Sequence, residues 1–182
     1  MINAPAPSEI LAFWREAGPK KWFAEDEAFD AALRERFEAA HHAAAGGELA
    51  AWSETAEGAL ALILLLDQLP RNLYRGSPHA FAADPLARRA ASAAIARGFD
   101  TGFEPALRGF FYLPFEHSED PRDQARCVAL CEACGDADLL KWARIHADII
   151  ARFGRFPHRN AALARESTTD ELRFLADGGF GG

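Results

Sequence analysis

No stretch of this 182-residue chain stays apolar long enough to cross a membrane. The longest purely apolar run, Ala59 to Leu66 (ALALILLL), is far short of the roughly 18–20 residues that a helical span needs. The opening MINAPAPSEI has neither a basic n-region nor an apolar h-region, so the expected location is cytoplasmic. Positive charge is scarce as well. Twenty Lys and Arg against 27 Asp and Glu give a formal net charge of -7, which argues against broad binding to nucleic acid or to an anionic membrane surface. Alternating strand patterns and Asn-Gly hairpin signals are missing throughout, which argues against a sheet. Cysteine is sparse and odd in number, and three cysteines without a leader read as reduced thiols rather than a disulfide framework.

Those cysteines need a second reading, because Cys127, Cys131 and Cys134 have the C-x3-C-x2-C spacing of radical SAM iron–sulfur motifs. That motif belongs on a loop after a strand. Here it falls inside QARCVALCEAC, after a helix start at Asp120-Pro121. At about 100° per residue the three thiols and Val128 form one apolar stripe. Core packing is the expectation, because buried cysteines behave as small hydrophobes.

What is present is helix. With 49% apolar, 26% charged and 11% aromatic residues, the chain reads as one globular all-α domain over 1–182 with about eight helices. Ser8 is the expected cap of a first helix stopped at Gly18, and Asp26 opens a second that ends at Gly46-Gly47. Ser53 begins a third, which runs to Leu69 and is broken by Pro70. Asp84-Pro85 is a cap followed by a first-turn proline, with Gly98 closing that helix. Pro105 to Tyr112 reads as one more short helix. Asp120-Pro121 and Asp136 start two further helices, the second ending at Phe153-Gly154. Thr168 and Glu171 form a capping box. The 34-residue tetratricopeptide consensus is not legible, so periodicity alone gives a helical bundle or an irregular solenoid.

Polar residues stand in three unexpected places. Asp67 follows nine uncharged residues in the last turn of its predicted helix, against the helix dipole, and needs compensation. Arg71 and Arg75, on either side of Asn72, can provide it as a structural ion pair. In YLPFEHSEDPRDQ, Glu116, His117 and Glu119 lie in a loop framed by Pro114 and Pro121; such a group suits acid–base work, while the zincin pattern is absent. His146 falls on the inward stripe Leu139, Trp142, Ile149, Phe153, opposite an outward ladder of Arg144, Asp148 and Arg152. It is either a satisfied core histidine or a pocket residue. Finally, RFGRFPHRN places Arg155, His158, Arg159 and Asn160 just past a helix C-terminus, where cations are favoured. From Arg144 to Arg165 five arginines face one acid, Asp148, so the surplus must meet acids from elsewhere or an anionic ligand.

LLDQLPRNLYRGSPHAF, YLPFEHSEDPRDQ and RFGRFPHRNAALARESTTDE, in that order, together with the opening ILAFWREAGPKKWFAEDEAFD, resemble the bacterial domain of unknown function 924 family. The resemblance covers nearly the whole chain and implies a compact, all-helical, tetratricopeptide-like fold. It implies no reaction. The positions that carry it over as site candidates are Asp67, Arg71, Asn72, Arg75, Glu116, His117, Glu119, Arg155, His158, Arg159 and Asn160.

Two functions fit these residues. In the first, the motifs form a polar pocket for a small anionic ligand, with Arg71, Arg155 and Arg159 holding phosphate or carboxylate. His117 or His158 would then move protons, oriented by Glu116 or Asp67. In the second, the chain is a tetratricopeptide-like module for a peptide or protein, and the polar motifs form a structural ion network. No cofactor or metal is expected in either, and no nucleic-acid or membrane partner.

Overall fold

The computed structural model describes residues 4–181. Helices and turns account for the secondary structure, and no strand occurs among the described residues. The chain divides into two compact units. The first runs up to Arg75 and resumes over His79–Pro114; the second comprises Gly76–Pro78 and the chain from Phe115 onward.

The first unit holds α1 (Pro7–Ala17), α2 (Pro19–Trp22), α3 (Glu27–Ala45), α4 (Ala56–Ile63), α5 (Leu69–Leu73), α6 (Asp84–Ala96) and α7 (Pro105–Arg108). Its centre is α4. The run that begins at Ala59 is apolar on every face, and a helix of that kind is stable only when surrounded. The surrounding is supplied by α1 and α6, which pack against it, and its residues from Gly58 to Ile63 are all buried. Each Leu or Ile among them contributes roughly 1.5–3 kcal/mol by leaving water. Aromatic rings fill one end: Trp14 stacks on Trp22 with centroids 6.2 Å apart and meets Phe110 edge-on at 5.6 Å.

Between α4 and α5 the helix widens into a π turn, Leu64–Gln68, and continues through Pro70 to Leu73. The predicted break at Pro70 does not occur. In the widened turn the Leu69 N–H reaches back to the Leu64 carbonyl. The Leu65 carbonyl would then look to residue 70, and proline has no N–H to give. His41 of α3 fills the gap, its Nδ1 lying 2.8 Å from the Leu65 oxygen. A carbonyl only accepts, so Nδ1 carries the proton. Burial pushes the His41 pKa below its usual value, which favours the neutral ring.

α8 (Leu113–Glu116) straddles the division between the units. The expected single helix from Pro105 to Tyr112 is instead α7, a tight 3-10 turn at Gly109–Phe111 and then α8, so Glu116 sits on a helical turn and not in a loop. The second unit continues with α9 (Pro121–Cys134), α10 (Ala137–Phe153) and α11 (Thr169–Ala176), with α9 packed along α10. All three cysteines lie on α9. Cys127 and Cys131 are buried with Sγ atoms 3.9 Å apart, and Cys134 is half-buried. The hydrogen bond that Cys127 gives to Cys131, together with burial, pushes the Cys127 thiol well up, so it stays protonated and unreactive.

The starts of α3, α9, α10 and α11 follow the side chains that cap them. Asp26 accepts from the Phe29 N–H, Asp120 from Arg122, and Asp136 from Asp138 and Leu139. Thr168 and Glu171 close a capping box. Three starts differ from expectation, the first being α6, where Asp84 lies inside the helix after Ala83. α1 begins at Pro7, because Glu9 reaches back to the Ala6 N–H at 3.0 Å and leaves Ser8 inside the helix. Ser53 lies in a 3-10 turn with its hydroxyl on the Ala50 carbonyl, so Thr55 takes the capping role.

The π turn yields a test. His41→Leu is expected to lower stability by about 1–3 kcal/mol, the cost of leaving a buried carbonyl without a donor. Pro70→Ala restores an N–H at that carbonyl, so the same His41→Leu change should cost less in the Pro70→Ala background. Equal losses in both backgrounds, measured from urea midpoints, would show that the turn does not depend on His41.

Candidate functional site

In the first unit, Asp67 is fully buried on the π turn and meets Arg71 Nη1 at 3.3 Å. It also accepts from Gln68 Nε2 at 2.7 Å. The predicted pairing with Arg71 is therefore present, but Arg71 gives its two-pronged grip to Asp84, at 3.0 Å from each Nη. Burial pulls the Arg71 pKa down, and the Asp67 and Asp84 carboxylates outweigh it and hold the guanidinium charged. Asp84 is thus an ion partner and not a cap. Ala83 precedes α6 with no capping side chain.

Arg75 does not reach Asp67. It takes Asp30 of α3 at 3.2 Å and the Asn72 side-chain oxygen at 2.8 Å, so Asn72 serves to position Arg75. Beside this lies a polar cluster that sequence reasoning missed. Tyr74 donates to Glu38 at 2.9 Å, with His42 Nε2 at 3.3 Å from its hydroxyl. Arg34 joins Glu38 to the Leu73 carbonyl. Burial, then the bond to Glu38, pushes the Tyr74 pKa up to about 12. The i, i+4 spacing of Glu38 and His42 was the available signal.

In the second unit the motifs around Glu116 and Arg155 meet. Glu119 accepts from both Arg165 Nη atoms at 2.8 and 3.0 Å, and from the Phe156 backbone N–H at 2.8 Å. Burial raises the Glu119 pKa, and the bonds from Arg165 and Phe156 outweigh it, so the net direction is down. Arg155 takes Glu171 in the same bidentate way, at 2.6 and 2.8 Å, and donates to the Glu166 carbonyl. Glu171 is also the returning arm of the α11 capping box and accepts from Asn160 at 3.2 Å. Two acids therefore answer two of the surplus arginines, across 46 and 16 residues.

Deeper in this unit lies a second group. Glu116 and His146 are 4% and 5% exposed, with Oε1 3.5 Å from Nδ1. The same Nδ1 lies 2.9 Å from the Trp142 carbonyl, so it carries the proton and the ring is held in one orientation. His146 meets Phe156 edge-on at 5.5 Å, and His158 lies 5.6 Å from Phe156 on a tilted ring. Arg159, buried, has its guanidinium 4.4 Å from the Phe156 ring centre. Asn160 is buried beside them, while His117 is half-buried at the end of α8. Glu116 and Glu119, expected as a joint group with His117, take separate partners.

The expected inward stripe of α10 is narrower than its periodicity gave. Trp142 is 44% exposed at the edge of the stripe. The predicted outward ladder also differs. Arg144 pairs across to Glu132 of α9 at 3.6 Å, and Arg152 lies over Phe153 and Phe174. No group of three or more His, Cys, Asp or Glu among the described residues is arranged to hold a metal ion, and no described helix is long and apolar enough to cross a membrane.

This chain belongs to the bacterial family of proteins of unknown function DUF924, whose model matches residues 10–179. It is similar to a solved protein of unknown function from Agrobacterium tumefaciens. The two are 50% identical, with a TM-score of 0.92 over 94% of this chain and 97% of the other. No curated protein matches it.

The Arg155–Glu171 pair has a pH signature. Its hydrogen bonds from Arg155, with those from Thr168, pull the Glu171 pKa from 4.5 to about 2. A carboxylate depressed in the folded state stabilises the fold above its unfolded pKa, and the gain is lost as pH falls through the folded one. Glu171→Gln is expected to cost on the order of 2–3 kcal/mol above pH 5. The difference from wild type should shrink as the pH falls from 4.5 toward 2. A difference that stays constant across that window, in urea titrations at each pH, would show that Glu171 is not held by Arg155.

Proposed function

We propose that the chain is a cytoplasmic, tetratricopeptide-like helical protein that binds a small anionic ligand at the polar centre of its second unit. The observation that carries this is the Glu116–His146 pair, two ionisable groups both about one-twentieth exposed and 3.5 Å apart. Burying such a pair costs free energy that an apolar pair would not, and groups of this kind concentrate at binding and catalytic sites. With Nδ1–H held on the Trp142 carbonyl, Nε2 is the nitrogen that exchanges a proton.

Of the three arginines expected at the anion site, Arg71 and Arg155 lie bidentate on Asp84 and Glu171, and Arg159 is the one placed at the polar centre of the second unit, on Phe156. Its guanidinium, stacked on Phe156, supplies the positive charge beside His158. Arg71, Arg155 and Arg165 then act as frame and not as ligand contacts. A second reading, a peptide-binding module, is favoured by one feature of the first unit. Phe23 is 67% exposed and stacks on Phe110 at 6.0 Å.

Thermal melts with inorganic phosphate separate these roles. A ligand that binds only the folded state adds RT ln(1 + [L]/Kd), about 2.7 kcal/mol at 100 times Kd. Wild type and Arg155→Gln should both gain this, and Arg159→Gln should not. Arg159→Lys, which keeps the charge without the planar fork, should gain an intermediate amount and serves if the Gln variant does not fold. General salt exclusion moves all proteins alike. Equal shifts in wild type, Arg155→Gln and the Arg159 variants would therefore sink the anion site.

A further inference from the structure

The segment after α11 is shaped to deliver one aromatic ring. Gly178 adopts φ 81, and the Gly178 and Gly179 N–H groups bond back to the Leu175 and Phe174 carbonyls at 3.2 and 2.9 Å, a complete left-handed helix ending. Gly179 then passes so close to Phe174 that an added Cβ would lie 2.5 Å from its carbonyl oxygen and 2.6 Å from its ring. Only glycine fits there. The reversal carries Phe180 onto the polar centre, where its ring stands edge-on to His146 at 4.5 Å and to His158 at 5.2 Å, with Trp142 at 6.2 Å. Below it lie Ile149, Ile150 and Phe156.

We propose that Phe180 is a built-in occupant of an aromatic subsite formed by His146, His158 and Trp142, and that the ligand of this unit is a small anion bearing a planar ring, which takes its place. The proposal rests on the reading of this unit as an anion site. The geometry supports the planar ring directly, because two imidazoles and an indole already accommodate one at ring-to-ring distances. The anionic group follows from Arg159, whose guanidinium lies on Phe156, the ring that His146 and His158 also touch.

Displacement is feasible because, among the described residues, the backbone bonds of the turn end at Gly179, and Phe180 beyond it is held by side-chain packing. Segments anchored in this way open at a small fraction of the global unfolding free energy. The occupant lowers apparent affinity by the fraction of time the subsite stands open.

Two variants remove the occupant by different routes. Phe180→Ala deletes the ring. Gly179→Ala leaves the ring and forces the segment off Phe174. The first readout is the rate at which diethylpyrocarbonate modifies His146 and His158, followed by mass spectrometry under conditions where circular dichroism is unchanged. Both variants should react at least about tenfold faster than wild type if the closed form holds nine-tenths of the population. Unchanged rates in both variants would overturn the proposal.

The second readout is calorimetric binding of benzoate, with cyclohexanecarboxylate as a carboxylate whose ring is not planar. Phe180→Ala should bind benzoate about tenfold more tightly than wild type, and cyclohexanecarboxylate more weakly than benzoate. Faster modification without benzoate binding would overturn the ligand and leave Phe180 as packing alone. Loss of the phosphate effect in the melts, with benzoate still bound by Phe180→Ala, would locate the failure in Arg159 and not in the occupied subsite.

Discussion

A guanidinium withdrawn from water needs a counter-charge, and several loops of this protein are placed by that requirement. Arg71 lies between Asp67 and Asp84, Arg155 grips Glu171, and Arg165 grips Glu119. Isolated surface ion pairs contribute little, whereas pairs that are bidentate and partly buried cost several kcal/mol when one partner is removed. Three of these four carboxylates also have a second place in the structure. Glu171 closes the cap of α11, Glu119 takes the Phe156 N–H, and Asp67 sits within the π turn. A single acid thereby ties a side chain to a backbone segment, so helix ends and loop positions are fixed together.

The π turn illustrates how one irregularity is compensated by another. Widening the helix at Leu64–Gln68 and placing Pro70 next to it leaves the Leu65 carbonyl facing a residue without a donor, and His41 answers it from α3. The same helix then continues to Leu73, so that Tyr74 follows directly, beside Glu38 and His42. A straight α-helix ended at Leu69 would orient Asp67, Arg71 and Tyr74 differently.

What was legible in the sequence is what local chemistry decides. Asp26, Asp120, Asp136 and the Thr168–Glu171 box mark helix starts because the cap and its partner are two or three residues apart. The all-helical class and the burial of Cys127, Cys131 and His146 followed from period alone. Pro70 was misjudged because its compensating donor lies 24 residues from the carbonyl it serves. Asp84 was misjudged because a cap and an ion partner call for the same residue type, and Arg71 decides between them from 13 residues away. Period also does not give the width of a stripe, which is why Trp142 lies outside it. The Glu116–His146 pair was legible only as two separate oddities, since nothing local joins a residue of α8 to one of α10.

In this member of the DUF924 family, Arg71, Arg155 and Arg165 are held by carboxylates, and the group proposed for function is the buried Glu116–His146 pair of the second unit. The most direct measurement of that division is a double-mutant cycle on Glu119 and Arg165, each replaced by Gln, with stability read from urea unfolding. A pair that frames the Phe156 segment predicts a coupling free energy of about 1–3 kcal/mol between the two sites. Losses that add to within about 0.5 kcal/mol would contradict it, and would show that these arginines are not held by the acids beside them.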